Sequence, residues 1–194
     1  MDEFAVSFHT PETKNESKHW LPKGQPGPLK ERTQVSRKKQ MVFSFFDAAG
    51  IIYQHYASLG AKLNAVYLTN GMGKFLRTFR SKRPLQAKKK LILFWDNSAL
   101  HIAKVTLDFL ELHAIETTPH APYSPDLAPA DFFLFPTVKS GMSGVTVGDQ
   151  TVRYAWEQVC RGIPAPKYAM TFKKWLELHK KCIRLAGGYV EQEQ

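Results

Sequence analysis

Phe4, Val6 and Phe8 alternate with Ala5 and Ser7, a period of two that predicts a short strand at the start of the chain. Met41 to Asp47 and Ile51 to Ala57 are β-branched and aromatic runs parted by Ala48, Ala49 and Gly50, which predicts a hairpin. Asn64 can cap a helix carrying Val66, Leu68, Met72, Phe75, Leu76 and Phe79; Gly71 and Gly73 weaken its middle, and Pro84 ends it. Leu91 to Trp95 is unbroken apolar sequence, expected for a strand buried on both faces, and it stops at Asp96. Ile102, Val105, Phe109 and Leu112 mark an amphipathic helix, and Ile115 to Thr118 a short strand halted by Pro119. After a proline-rich turn comes a helical pattern with Phe132, Phe133, Phe135 and Val138. Residues 150 to 185 add helices with Trp156 and Val159, then Phe172, Trp175, Leu176 and Ile183, as apolar stripes.

The order is βββαβαβα. Three meandering strands followed by alternating helix and strand predict an α/β fold: a ribonuclease H-like mixed sheet with helices on both faces and extra C-terminal helices. Residues 1–145 are read as the core, with a basic loop at about 11–40, and residues 146–194 as a helical extension of the same domain.

Charge changes the picture more than composition does. The 194 residues carry a net +10, which points to a polyanionic partner, nucleic acid above all. Pro11 to Gln40 holds eight basic residues against three acids, and no acid interrupts the basic cluster from Lys74 to Lys90. Candidate phosphate contacts are Lys30, Arg32, Arg37, Lys38, Lys39, Arg80, Lys82 and Arg83; a solvated helix face is the plainer reading of such runs. Cys160 and Cys182 read as buried thiols. No apolar run approaches the roughly 20 residues of a membrane span, and MDEFAVSF lacks the pattern of a secretory signal, so no membrane partner and an intracellular setting are expected.

Among the acids, Asp96 stands at the end of the most apolar strand, where open sheets place ligands, and Asp131 opens a helix. Asp96, Asn97 and Ser98 read equally as a helix cap, Asp131 as a favourable charge on a helix dipole, and Asp2 as a solvated terminus. Together the three could supply the hard oxygen ligands that a two-metal phosphoryl-transfer site requires.

WDNSALHIA at Trp95 to Ala103, followed by PHAPYSPDLAPADFFLFPTVK at Pro119 to Lys139, resembles the catalytic domain of mariner-type transposases. Thirty-four residues separate Asp96 from Asp131, the spacing of that branch of three-acid transposases and integrases. MDEF, FFDAAGIIY, the WE…IP stretch and KKCIRLAGGYVE also resemble the family pattern. The resemblance implies Asp2, Asp96 and Asp131 as ligands of two Mg²⁺ or Mn²⁺ ions, with Asn97 and His101 near the site. It leaves Asp47 outside the triad as a turn residue and His120 as a loop histidine, and it puts the basic loop where the family has a clamp that reaches a partner subunit.

The implied activity is metal-dependent DNA cleavage and strand transfer. Its partners would be transposon ends, target DNA and a second copy in a homodimer, with no small-molecule substrate, in the nucleus. The family's two helix-turn-helix modules precede the catalytic domain and are absent from these residues, and Asp2 at a terminus is expected to fray, which would impair turnover. The alternative is an inactive or domesticated remnant that binds nucleic acid or dimerises without turnover. Cleavage of RNA in hybrids is a third reading that the same fold and metals permit.

Overall fold

The computed structural model describes residues 1–8, 39–58, 60–143 and 149–185. The basic loop, and with it Lys30, Arg32, Arg37 and Lys38, lies outside the described residues.

Strands β1 (Asp2–Ser7), β2 (Lys39–Asp47) and β3 (Gly50–Tyr56) form an antiparallel sheet in that order, with Asp2 opposite Ser44 and Val42 opposite Tyr56. The Asp47 carboxylate accepts from the Ala49 amide at 2.9 Å and closes a two-residue turn. Gly50 leaves the turn at φ +119°, a backbone region that side-chain-bearing residues rarely enter.

Because side chains alternate along a strand, β2 serves two cores. Val42 joins Val6, Leu134, Val138, Val152 and Trp156 on one face; Phe43 and Phe45 join Met72, Phe75, Leu93 and Leu110 on the other. Helix α1 (Ala65–Lys82) covers the second face. Its N-cap is Asn64, whose side chain accepts from the Tyr67 amide at 2.8 Å, and it ends at Arg83, just before Pro84. Gly71 sits against the His55 ring, where an added Cβ would meet it at 3.3 Å, so this glycine allows a close approach.

Strands β4 (Ile92–Phe94) and β5 (Glu116–Thr118) pair in parallel as a second, two-stranded sheet. The single mixed sheet expected from the sequence is therefore divided in its hydrogen bonding. The Met1 ammonium donates to the Phe94 carbonyl at 2.7 Å and ties the start of β1 to β4. Beside this tie lies an apolar cavity of about 370 Å³, lined in part by Phe45, Phe79, Leu93, Phe172 and Trp175. β4 is not buried on both faces either: Leu93 points into a core, while Ile92 is 57% exposed at the rim.

Helix α2 (Lys104–Leu112) corrects a second expectation. Ile102, Val105 and Leu112 face outward, and Thr106 and Leu110 are buried instead. Thr106 can be buried because its hydroxyl donates to the Leu100 carbonyl at 2.6 Å, which satisfies the polar atom.

The helix expected around Phe132 begins as a π turn (Ala130–Leu134) and continues as α3 (Phe135–Gly141). Helices α4 (Asp149–Gly162) and α5 (Ala165–Arg184) follow. Trp156, Val152 and Tyr168 from these helices share a core with Val6 and Leu134. Gly141 lets α3 and α4 touch, since a Cβ there would lie 2.6 Å from Val159 Cγ1. Leu176 and Ile183 are exposed rather than packed, and Cys160 is buried whereas Cys182 is only partly so.

Candidate active site

Successive residues of β1 point to opposite faces, so Asp2 and Glu3 enter different surroundings. Asp2, on the face of Val6, is buried and lies within electrostatic range of Asp131 on the π turn. Burial first, then the charges of Asp131 and Glu3, push its carboxyl up to about 8, against the Glu3 amide and the Met1 ammonium. Asp131 is raised as well, by burial and then by Asp96. Among the described residues no lysine or arginine forms an ion pair with Asp2, Asp96 or Asp131. Three hard-oxygen donors with no lysine or arginine paired to them among the described residues are a donor set suited to a divalent cation.

Asp2 is no solvated, frayed end here: it pairs with Ser44 and is held behind the Met1–Phe94 bond. Asp96 is not the cap of α2, whose N-cap is Ala103. It leaves β4 into a local turn in which its Oδ1 accepts from the Ser98 amide at 3.1 Å. Its side chain stays 46% exposed. Asn97 Nδ2 donates to the His120 carbonyl at 2.9 Å and fastens the loop after β4 to the loop after β5.

His101 is at the centre of a second cluster. It is 1% exposed and stacks on Trp95 with centroids 4.3 Å apart and planes 1° apart. Nε2 lies 2.9 Å from Glu3 Oε1, and Nδ1 lies 2.8 Å from Asp96 Oδ1. Burial works against a charged ring, but the Glu3 hydrogen bond and charge, with the Asp96 carbonyl and carboxylate, outweigh it and raise the pKa above the ordinary histidine value.

Among the described residues, the three whose potential ligand atoms all come within 4.8 Å of one another are Glu3, Asp96 and His101. The sequence-derived triad of Asp2, Asp96 and Asp131 is drawn to one end of the two sheets without reaching that spacing. Asp96 and Asp131 line a cleft of about 380 Å³ with His120 and Tyr123. His120 stands edge-on to Phe94, with Nδ1 buried and without a hydrogen-bond partner among the described residues. Tyr123 is 93% exposed at φ +53°, an uncommon backbone for a bulky residue. Glu3 carried no signal on its own in the sequence. Strand alternation next to Asp2, together with a histidine five residues beyond Asp96, is the pattern that would have exposed it.

The basic candidates separate. Arg83 grips the Asp47 carboxylate at 2.8 and 3.1 Å, and Lys82 donates to the Ile52 carbonyl at 2.8 Å, so both are used within the fold. Asp47, the rival acid, is a turn residue and ion-pair partner. Lys39 and Arg80 are exposed.

A family model described as transposase (partial DDE domain) matches residues 10–89. The chain is 28% identical over 193 residues to the mariner Mos1 transposase of Drosophila mauritiana, covering 98% of this chain and 55% of that protein. The fold superposes on the Mos1 mariner paired end complex with Mn at a TM-score of 0.87 and 29% identity, covering 97% of this chain and 55% of that one. It superposes on the catalytic domain of Mos1 mariner transposase at 0.75 and 29% identity, covering 80% and 78%. The chain thus spans about half the length of the full-length relative it matches. In sequence and in fold the chain is thus similar to the catalytic domain of mariner-type transposases.

Proposed function

We propose that the chain performs divalent-metal-dependent cleavage and transfer of DNA strands, with Asp2, Asp96 and Asp131 holding two Mg²⁺ or Mn²⁺ ions. The observation that carries this is the gathering of three acids at one end of the sheets with no arginine or lysine paired to them among the described residues. Structures similar to this chain are described with Mn and with Mg, which supports a divalent metal. When bound, such ions supply Lewis-acid activation of the attacking oxygen and stabilisation of the leaving one.

The protein's own contribution is position. The Met1–Phe94 bond holds Asp2 beside β4, the Ser98 amide and His101 hold Asp96, and the π turn carries Asp131 into the cleft that Asp96 also lines. Asn97 keeps the two cleft loops together. Exposed Lys39 and Arg80, with Lys30, Arg32, Arg37 and Lys38 of the basic loop, supply salt-dependent affinity for phosphates. DNA ends and target DNA are the substrates, a second copy is the partner, and the nucleus is the site of action.

Isothermal titration of Mn²⁺ into the chain, beside Asp96→Asn and followed by nicking of duplex DNA, tests this. Saturable binding lost in the variant is expected. Equal behaviour of the two proteins would favour the second reading, a domain that binds DNA without turnover. One observation favours that reading: the three carboxylates are not within 4.8 Å of one another.

A further inference from the structure

We propose that Glu3 and His101 are positioning residues that aim the Asp96 carboxylate into the cleft. This rests on the reading of Asp96 as a metal ligand.

Asp96 needs such support. It lies two residues beyond the three-residue strand β4, and its side chain is 46% exposed, so rotation about its own bonds would be inexpensive without partners. Three contacts remove that freedom. The Ser98 amide donates to Oδ1, His101 Nδ1 lies 2.8 Å from the same oxygen, and Nδ1 also lies 3.0 Å from the Asp96 carbonyl. Both side-chain contacts fall on Oδ1, which leaves Oδ2 for the cleft that Asp96 shares with Asp131.

His101 can act as a rigid arm because its own ring is fixed in two ways. Trp95 lies flat against it at 4.3 Å, and Glu3 Oε1 holds the far nitrogen at 2.9 Å. Glu3 is fixed in turn by the ladder of β1 on β2, where it pairs with Phe43. The chain of contacts therefore runs from the main sheet through Glu3 and His101 to the end of the second sheet. It couples β1 and β4 at the point where their backbones are tied by one terminal bond.

The same three residues have the spacing of a metal cage, but their geometry is that of a clamp. Each imidazole nitrogen sits at hydrogen-bond distance from a carboxylate oxygen, so neither has a lone pair directed at a shared empty point. Outer partners of this kind orient ligands, and their loss typically weakens metal binding about 10- to 100-fold.

The test is Mn²⁺ titration of the full chain and of Glu3→Ala, Glu3→Gln and His101→Phe, with thermal midpoints recorded in chelator. Glu3→Ala and His101→Phe are expected to weaken Mn²⁺ by about 10- to 100-fold, and Glu3→Gln, which keeps an acceptor for Nε2, to stay within about threefold of the parent. Leu110→Ala, a core variant on α2 that removes no polar contact of the clamp, is the control for lost stability alone and should keep the parent affinity. Unchanged affinity in either Glu3→Ala or His101→Phe, whichever folds, overturns the inference. So does a loss in Leu110→Ala as large as theirs. A parent chain with no saturable Mn²⁺ binding overturns the metal reading itself, a separate and visible result.

Discussion

Asp2 and Glu3 are neighbours on one strand with the same charged group, yet the fold treats them oppositely. Glu3 meets a buried histidine and becomes half of an ion pair; Asp2 is buried near Asp131 with no cationic side chain paired to it among the described residues, and burial first, then Asp131, pushes its carboxyl up to about 8. The pleat of β1 is the whole cause, since alternate side chains leave by opposite faces. One cluster is satisfied and acts as scaffold. The other is short of positive charge and is the part of the molecule that a cation would complete.

The largest way to break this comparison is to remove charge from the unbalanced side. Asp131→Asn should reduce Mn²⁺ binding by at least about 100-fold, roughly the loss of a direct ligand rather than of an outer partner. It should also lower the Asp2 carboxyl toward its usual range, because Asp131 is the leading charge that raises it. Carboxylate stretches followed by infrared difference spectroscopy would show the second effect. A variant that binds Mn²⁺ like the parent would mean that the triad is only a cluster of acids.

On the balanced side, His101→Ala leaves Glu3 with its carboxylate largely buried, at 12% exposure, and without a partner. Breaking a buried pair this way costs about 3 kcal/mol, and Glu3→Gln in the same background should recover part of it by removing the stranded charge. Urea unfolding at neutral pH measures both. If the double variant is no more stable than His101→Ala, the cost is lost packing on Trp95 and not electrostatics.

The comparison also sets a pH dependence. The folded chain keeps the Asp2 proton up to about 8, whereas an unfolded aspartate releases it near 3.8. Between those values the native state holds more protons than the unfolded one, so this group's stabilisation is full below about 4 and is lost as pH rises through about 8. Metal-free thermal midpoints should therefore fall over that window, and Asp2→Asn should flatten the fall. Added Mn²⁺ should stabilise increasingly with pH, because it competes with the proton for the same carboxylate. A parent curve no steeper than that of the variant would show that Asp2 ionises as if it were in water.

How far the sequence reached depended on how local the signal was. The Asn64 cap, the Asp47–Gly50 turn, the stop at Pro84 and the short strand at Glu116–Thr118 are written in a few adjacent residues, and each is where it was expected. Asp96, two residues past β4, was legible for the same reason. The outward stripe of α2 was not, because its burial is decided by what packs against nine residues and by a hydroxyl that finds Leu100. The π turn under Asp131 and the Glu3–His101 bond depend on elements far apart in the chain, 98 residues in the second case, and no local pattern encodes them.

The smallest effect sharpens the contrast. Arg83 and Asp47 also form an ion pair between distant elements, at 2.8 Å, but their side chains are 18% and 31% exposed. Water already solvates part of both groups, so breaking the pair exposes little uncompensated charge. Asp47→Ala should cost about 0.5 kcal/mol and leave Mn²⁺ affinity unchanged. Read in the same urea titration, a cost near that of His101→Ala would mean that burial is not what separates the two pairs. A change in Mn²⁺ binding would mean that Asp47, rather than Asp2, belongs with the ligands. The expected result, a small stability loss with no metal effect, would confine the functional chemistry to Asp2, Asp96 and Asp131 although Asp47 ends the strand on which Asp2 pairs.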